Sequence, residues 1–354
     1  MSGGAAQRFA AARTVLEQAA AARVFPAAAI EVGTSTQPIW QSTLGRLTYD
    51  PSAPAAAADT VFDLASLTKV LATTPLVMRQ IERGALGLDD PVAAHVPSWR
   101  GADRDGVTIR DLLAHCSGLP PHRPFYRDHR GAAAYEEAIG ALPLEYPPRT
   151  QSLYSDLDFI LLGAILERLA PLERQFDAMR EQMRIAGDLQ FNPPPAWTRK
   201  TAPASYSDVR QRMLIGEVDD DNAWALGGAA GHAGLFGTAD AVGQCARHVL
   251  QVLGGRTGAF GRELLRAFIA RRTDVPGSSR ALGWDTMLPS SSCGTRMSPA
   301  AFGHTGFTGT SLWIDPGRDV YVVLLTNRVH PQPGDAAAIR QVRRDVHDAV
   351  MSGL

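Results

Sequence analysis

The arrangement of two hydrophobic periods along the chain constrains the fold most. Strand-like runs stand near both ends, and helical spacing fills the interval between them. Near the start, residues 28–33 and 38–44 read as two strands joined by the polar turn 34–37. Near the end, residues 303–314 and 320–326 read as strands joined by Asp315-Pro316-Gly317-Arg318-Asp319. A sheet drawn from both ends requires the intervening chain to leave it and return. The expected class is therefore α+β: an antiparallel β-sheet flanked by helices, with a second, mainly helical sub-domain. Residues 1–65 and 225–354 are assigned to the sheet sub-domain and 66–224 to the helical one, with the active site in the cleft between them.

Helical spacing is explicit at several places. Phe9, Ala12, Leu16 and Ala19 recur on one face. A long pattern runs over 66–83, with Gly84 placed as its C-cap and Pro75 predicting a kink. Thr108-Ile109-Arg110-Asp111 has the form of a capping box opening a short helix that Gly118 ends. Residues 156–169, 239–253 and 335–351 supply three more helices, and 226–237 is glycine-rich. The Ala/Pro-rich stretch 51–58 reads as a surface connection.

Composition narrows the function classes. The 354 residues carry 35 Lys+Arg against 36 Asp+Glu, a formal net charge of -1. That balance argues against nucleic acid or an anionic membrane surface as the main partner. No run of 18 apolar residues exists, and no signal-peptide core forms because Arg8, Arg13 and Glu17 interrupt the N-terminal apolar stretches. The expected location is cytoplasmic, and the expected assembly a monomer or homodimer. Cys116, Cys245 and Cys293 form no C-x-x-C pair, so neither a disulfide framework nor a cysteine zinc site is expected. No G-x-S-x-G elbow, P-loop, H-E-x-x-H or dinucleotide fingerprint is present. No metal or cofactor is expected.

Of the 35 basic residues only Lys69 and Lys200 are lysines. Arginine does not give up its proton in a protein, whereas lysine does when its surroundings lower its pKa. Lys69 lies three residues after Ser66, in Ser66-Leu67-Thr68-Lys69, one helical turn away on the same face. Serine needs a neighbouring base, and a first-turn position offers free backbone N–H groups to a developing anion. For Lys69 to accept the proton, its pKa must fall from about 10.4 towards 7, roughly 4 to 5 kcal/mol of differential solvation. Tyr154 in Tyr154-Ser155-Asp156 stands at a helix entry, where a phenol can relay a proton. His304-Thr305-Gly306 lies on the penultimate strand-like run. There the imidazole can donate a hydrogen bond or carry charge near pH 7, Gly306 allows close approach of a substrate, and Phe307 N–H can join Ser66 N–H as an oxyanion hole.

The order S-x-x-K, Y-x-[N/D], [K/H]-T-G resembles the serine β-lactamase and penicillin-binding-protein-like family. The likeness is to the branch with class C β-lactamases, D-alanyl-D-alanine carboxypeptidases, D-aminopeptidases and family VIII carboxylesterases. The stretches 61–65, 88–92, 108–120 and 228–236 extend the likeness. It implies a β-lactamase/transpeptidase-like fold, Ser66 as acylated nucleophile, Lys69 as its activating partner and Tyr154 as general base or acid. It also implies His304 as the electrostatic contact on the strand, and the backbone of Ser66 and Phe307 as oxyanion hole. Asp156, Thr305, Gly306, Asp220 and Asn222 fall at substrate-binding positions. Two departures stand out: His304 replaces the lysine usual in β-lactamases, and Asp156 replaces a common asparagine. Both weaken a β-lactamase reading more than an esterase reading. The expected function is a serine hydrolase acting through an acyl-enzyme, foremost a carboxylesterase on short-chain esters. β-Lactamase or D-amino-acid peptidase activity is the alternative, ahead of a non-catalytic penicillin-binding-like sensor. The expected partner is a small ester or lactam substrate.

Overall fold

The computed structural model describes residues 2–354. Its main sheet has six strands: β1 (Ala27–Gly33), β2 (Pro38–Gly45), β3 (Asp285–Thr286), β4 (Phe302–Thr305), β5 (Ser311–Asp315) and β6 (Val320–Thr326). The spatial order is β2-β1-β6-β5-β4-β3, with every neighbouring pair antiparallel. The two ends of the chain meet at β1 and β6, where Ala28 faces Thr326 and Val32 faces Val322. Both strands are buried along their whole length, which explains their unbroken apolar runs.

Alternation sends successive side chains to opposite faces. On one face Ala28, Ile30, Val32, Val322 and Leu324 pack with α1 (Ala10–Ala21) and the C-terminal helix, through Leu16, Ile339, Val346 and Val350. On the other, Ala27, Ala29, Tyr321, Val323 and Leu325 join a core that includes Val242, Ala246 and Val249 of the helix Ala239–Leu253. That core continues without a break into the helices around Leu112, Leu161 and Phe176. The one acid on β1, Glu31, is fully buried and meets Arg247 of the same helix, Tyr321 and Gln41. The architecture is thus the expected antiparallel sheet flanked by helices.

Three local expectations change. The run 303–314 is two strands, because Gly306–Thr310 turns the chain through nearly 180° between β4 and β5, so His304 sits on the third strand from the end. The helix over 66–83 is not uniform. A wide turn, Lys69–Thr73, precedes α2 (Thr74–Glu82), with Thr74 N–H bonding to Lys69 O. Pro75 lacks an N–H and its ring crowds the preceding turn, and the widened backbone just before it accommodates both. The capping box Thr108/Asp111 is present, yet the helix Ile109–Leu113 ends at His115, which takes the left-handed conformation (φ 54°), and not at Gly118. A three-stranded sheet joins Phe62–Asp63, Leu235–Gly237 and Leu189–Phe191, hydrogen-bonding segments from either side of the expected sub-domain limits.

Candidate active site

Ser66 stands just after Phe62–Asp63 and just before the helical turn. The chain reaches it through Ala65, a left-handed residue (φ 46°) whose N–H is held by the Asp63 carboxyl at 2.8 Å. That strained turn aims Ser66 into a cleft of about 1020 Å³. The wide turn that follows swings Lys69 inward, where it is fully buried. Its Nζ lies 2.9 Å from Ser66 Oγ, 2.8 Å from Asp156 Oδ1 and 3.1 Å from the His232 carbonyl oxygen. An ammonium has three donors, and here three oxygens take them. Burial alone pushes the Lys69 pKa down, but the charge of Asp156 and that of the Tyr154 oxygen when ionised, with hydrogen bonds to both, more than offset it and leave it above its ordinary value. That direction favours the ammonium form, opposite to the lowered pKa that proton acceptance by Lys69 requires.

The glycine-rich segment makes this possible. Gly231 lies against Gly163 of α3 (Asp156–Leu169); a Cβ on Gly231 would stand 2.0 Å from Phe159 O. Only that close approach delivers the neighbouring His232 carbonyl to Lys69. At the head of α3, Ser155 caps the helix by accepting from Leu157 N–H, while Asp156 N–H bonds to Pro121 O. These fix Tyr154, whose Oη lies 2.7 Å from Ser66 Oγ. Burial raises the Tyr154 pKa and the Lys69 ammonium lowers it, with a net rise. Because Lys69 offers donors only, the Ser66 proton has the Tyr154 oxygen as its acceptor. Acceptance of that proton requires Tyr154, which here donates to Ser66 Oγ, to have given up its own.

Behind Tyr154 lies a layer that sequence reading did not single out. His115 packs on its ring at 4.8 Å between centroids and accepts the Ser155 N–H on Nδ1. Asp158, buried and pushed well above the ordinary carboxyl pKa by desolvation, accepts from Ser117 and faces His115 Nδ1 at 3.3 Å. A neutral imidazole can accept from a main-chain N–H on Nδ1 beside a protonated carboxyl, while its Nε2, also buried, has no partner among the described residues.

His304 differs from expectation. It is buried, its Nδ1–H donates to Thr305 O at 2.8 Å, and burial, with Arg280 and Lys69 nearby, holds its pKa well below the usual histidine range. It is a neutral ring beside Tyr154, 5.7 Å between centroids, and supplies no charge. Thr305 lines the cleft. Gly306 also lines it, but its close approach is to the chain itself: a Cβ would lie 2.1 Å from Thr310 Oγ1 and 2.6 Å from Leu64 O. Phe307 is 56% exposed at the cleft wall. Among the described residues neither Phe307 N–H nor Ser66 N–H donates within the protein, which leaves both free for an oxyanion. Asp156 serves as the Lys69 counter-ion. Asp220 lines the cleft; burial favours its neutral form, but His232 at 2.8 Å and the Ala223 N–H hold it well below the usual range. Asn222 is the clearest correction. It is fully buried, its Oδ1 accepts from Tyr126 N–H and Tyr135 Oη, and its Nδ2 donates to Arg123 O, so it ties loops together and does not face the cleft.

A comparison with family models matches residues 12–346 to Beta-lactamase. The chain belongs to the beta-lactamase family. An Escherichia coli K12 protein provisionally named D-alanyl-D-alanine carboxypeptidase is 30% identical over 315 residues, 79% of this chain and 72% of the relative. The Bacillus subtilis 168 N-acetylmuramyl-L-alanine amidase is 31% identical over 304 residues, 77% of this chain and 68% of that protein. Among solved structures, EstCE1, a hydrolase with promiscuous acyltransferase activity, superposes with TM-score 0.76 at 22% identity, covering 98% of both chains. A penicillin-binding protein homologue from Caulobacter crescentus gives 0.74 at 22% identity, again over 98% of both. These two likenesses establish the fold. No helix among the described residues is long and apolar enough to cross a membrane.

Proposed function

We propose that this beta-lactamase-family protein is a serine hydrolase that acts through an acyl-enzyme on Ser66 and cleaves carboxylic esters of short-chain acids. The observation that carries the reading is the Ser66–Lys69–Tyr154 cluster, in which Ser66 Oγ is within 2.9 Å of an ammonium and 2.7 Å of a phenol. Ser66 Oγ bonds to the carbonyl carbon as its proton passes to Tyr154. The oxyanion rests on the N–H groups of Ser66 and Phe307, and Tyr154 returns the proton to the departing oxygen. Water then repeats the sequence on the acyl-enzyme.

Preference for an ester over a lactam is supported by the neutral imidazole of His304 at the strand position where β-lactamases carry a cation. The names of the curated relatives favour a second reading, hydrolysis of a peptide or amide by the same groups. Side-by-side turnover of p-nitrophenyl butyrate and nitrocefin tests the ranking. Expected is faster turnover of the ester; nitrocefin cleaved much faster than the ester would reverse it. A fluorophosphonate adduct is expected on Ser66, and folded protein without one would favour a non-catalytic role.

A further inference from the structure

Lys69 has three oxygen partners, and two of them, Ser66 Oγ and Asp156 Oδ1, belong to side chains. The third is the main-chain oxygen of His232 at 3.1 Å. A main-chain carbonyl has no rotamer of its own, so whatever fixes the backbone at residue 232 fixes that bond. The ring of the same residue is tied at one point. His232 is buried, its Nε2 lies 2.8 Å from Asp220 Oδ1, and its Nδ1 has no partner among the described residues. Burial favours the neutral acid at Asp220, but His232 and the Ala223 N–H hold its pKa well below the usual range. The carboxylate therefore accepts and His232 Nε2–H donates.

Asp220 is itself held in place. It is the N-cap of the short helix Asp221–Ala225, and the same Oδ1 accepts the Ala223 N–H at 2.7 Å. Its side chain is 27% exposed where it lines the cleft. The other tethers of the loop act on neighbouring peptides. Thr73 Oγ1 donates to Gly231 O at 2.6 Å, which fixes the peptide before His232. Ala230 N–H donates to Ala233 O at 3.2 Å, which closes the loop on itself. The carbonyl that faces Lys69 belongs to the peptide between these two. The bond from the His232 ring to Asp220 sets how the centre of that residue is turned, and with it the direction of the carbonyl.

We propose that Asp220 is a positioning residue for the reaction: by holding the His232 ring it keeps His232 O on Lys69 Nζ, and so keeps Lys69 aligned between Ser66 and Asp156. The inference rests on the Ser66 hydrolase reading and adds to it a residue that acts through two others. Without the Asp220 bond the His232 ring has no polar partner in a buried site, and the residue turns to find one. Its carbonyl then leaves Nζ, and Lys69 has two acceptors for three donors. A buried ammonium with an unmet donor moves to meet it, and the 2.9 Å contact with Ser66 Oγ is what changes.

Three variants test this. Asp220→Ser keeps an N-cap oxygen for the Ala223 N–H but is too short to reach His232. Asp220→Asn presents an amide oxygen to both donors. His232→Leu removes the ring donor and keeps the main-chain carbonyl. Lys69 and Lys200 are the only lysines, so protein grown on lysine labelled at Nζ with heavy nitrogen gives two side-chain NMR signals, and Lys200, paired with Asp188, is the internal reference. In Asp220→Ser and His232→Leu the Lys69 signal should move and its protons exchange faster with water, while the Lys200 signal stays. In the same two variants fluorophosphonate labelling of Ser66 should slow by about 10- to 100-fold, the range of a hydrogen bond to a charged group, with KM for p-nitrophenyl butyrate little changed. Asp220→Asn should recover the native Lys69 signal and most of the labelling rate. Either of the first two variants suffices if the other does not fold. A Lys69 signal that stays in place in a folded variant overturns the proposal, because Thr73 and the loop would then hold the peptide unaided. So does a rise in KM at native labelling rate, which would make Asp220 a substrate contact. If the native protein takes no fluorophosphonate on Ser66, the hydrolase reading fails, and the Lys69 signal alone decides whether Asp220 positions Lys69.

Discussion

At the scale of single residues, the account turns on where one proton sits in the Ser66–Lys69–Tyr154 set. Asp156 is the lever. Its carboxylate raises the pKa of Lys69 and also that of Tyr154. Activity should rise with pH through the ionisation that removes the Tyr154 proton. In Asp156→Asn the amide oxygen can still accept from Lys69 Nζ, but the negative charge is gone. Both groups then release protons more easily, so the rising limb of kcat/KM should move to lower pH. A pH–rate profile of the two proteins checks this; a limb that stays in place or moves upward contradicts it. The motif residues were legible because chemistry demands their types and spacing. The protonation of Lys69 was not, because it is set by Asp156 and His232, 87 and 163 positions away.

Among elements, the β4–β5 turn sets the position of Phe307 N–H, which the proposed mechanism uses as an oxyanion donor. Gly306 packs on Leu64 O and Thr310 Oγ1, Thr308 Oγ1 donates to Asp63 O at 2.7 Å, and Arg343 holds both Gly306 O and Thr310 O from the last helix. A Cβ at 306 has no room, so the turn must move away from Ser66. Gly306→Ala should cost about 1–3 kcal/mol of stability and lower kcat by about 10-fold or more. Urea unfolding and steady-state kinetics measure the two effects; native kcat in the variant would show that the turn does not shape the oxyanion site. Element type was largely readable from periodicity: the β1 and β2 strands, α1, α3 and the helices Ala239–Leu253 and Ala336–Ser352 stand within a residue or two of expectation. What escaped were the breaks. Gly306 is one glycine within a strand-like run, and His115 is not a residue type that announces a left-handed stop.

For the molecule as a whole, buried neutral histidines link stability to pH. His347 is fully buried in the last helix, donates from Nδ1 to Arg343 O, and desolvation pushes its pKa down to about 4. Below the ordinary value of 6.5 the unfolded chain takes up a proton that the folded chain refuses, so stability is lost as pH falls from 6.5 towards 4. Between pH 7 and pH 5 this one group should account for about 2 kcal/mol. Asp63 works the other way. Desolvation and Asp219 raise its pKa to about 7, so its contribution falls as pH rises from 3.8 towards 7. The contrast between native protein and His347→Gln isolates the histidine. The variant should lose about 2 kcal/mol less on acidification, read as a smaller drop in urea midpoint; an equal drop would show that His347 does not carry the dependence.

The most direct test of the central claim is acid quenching during turnover of p-nitrophenyl butyrate, followed by peptide mass mapping. One butyryl group on the peptide containing Ser66, absent from Ser66→Ala and its inactive protein, is expected. Turnover that persists in Ser66→Ala, or a butyryl group found on another residue, would contradict the claim that Ser66, between an ammonium and a phenol, carries the acyl group.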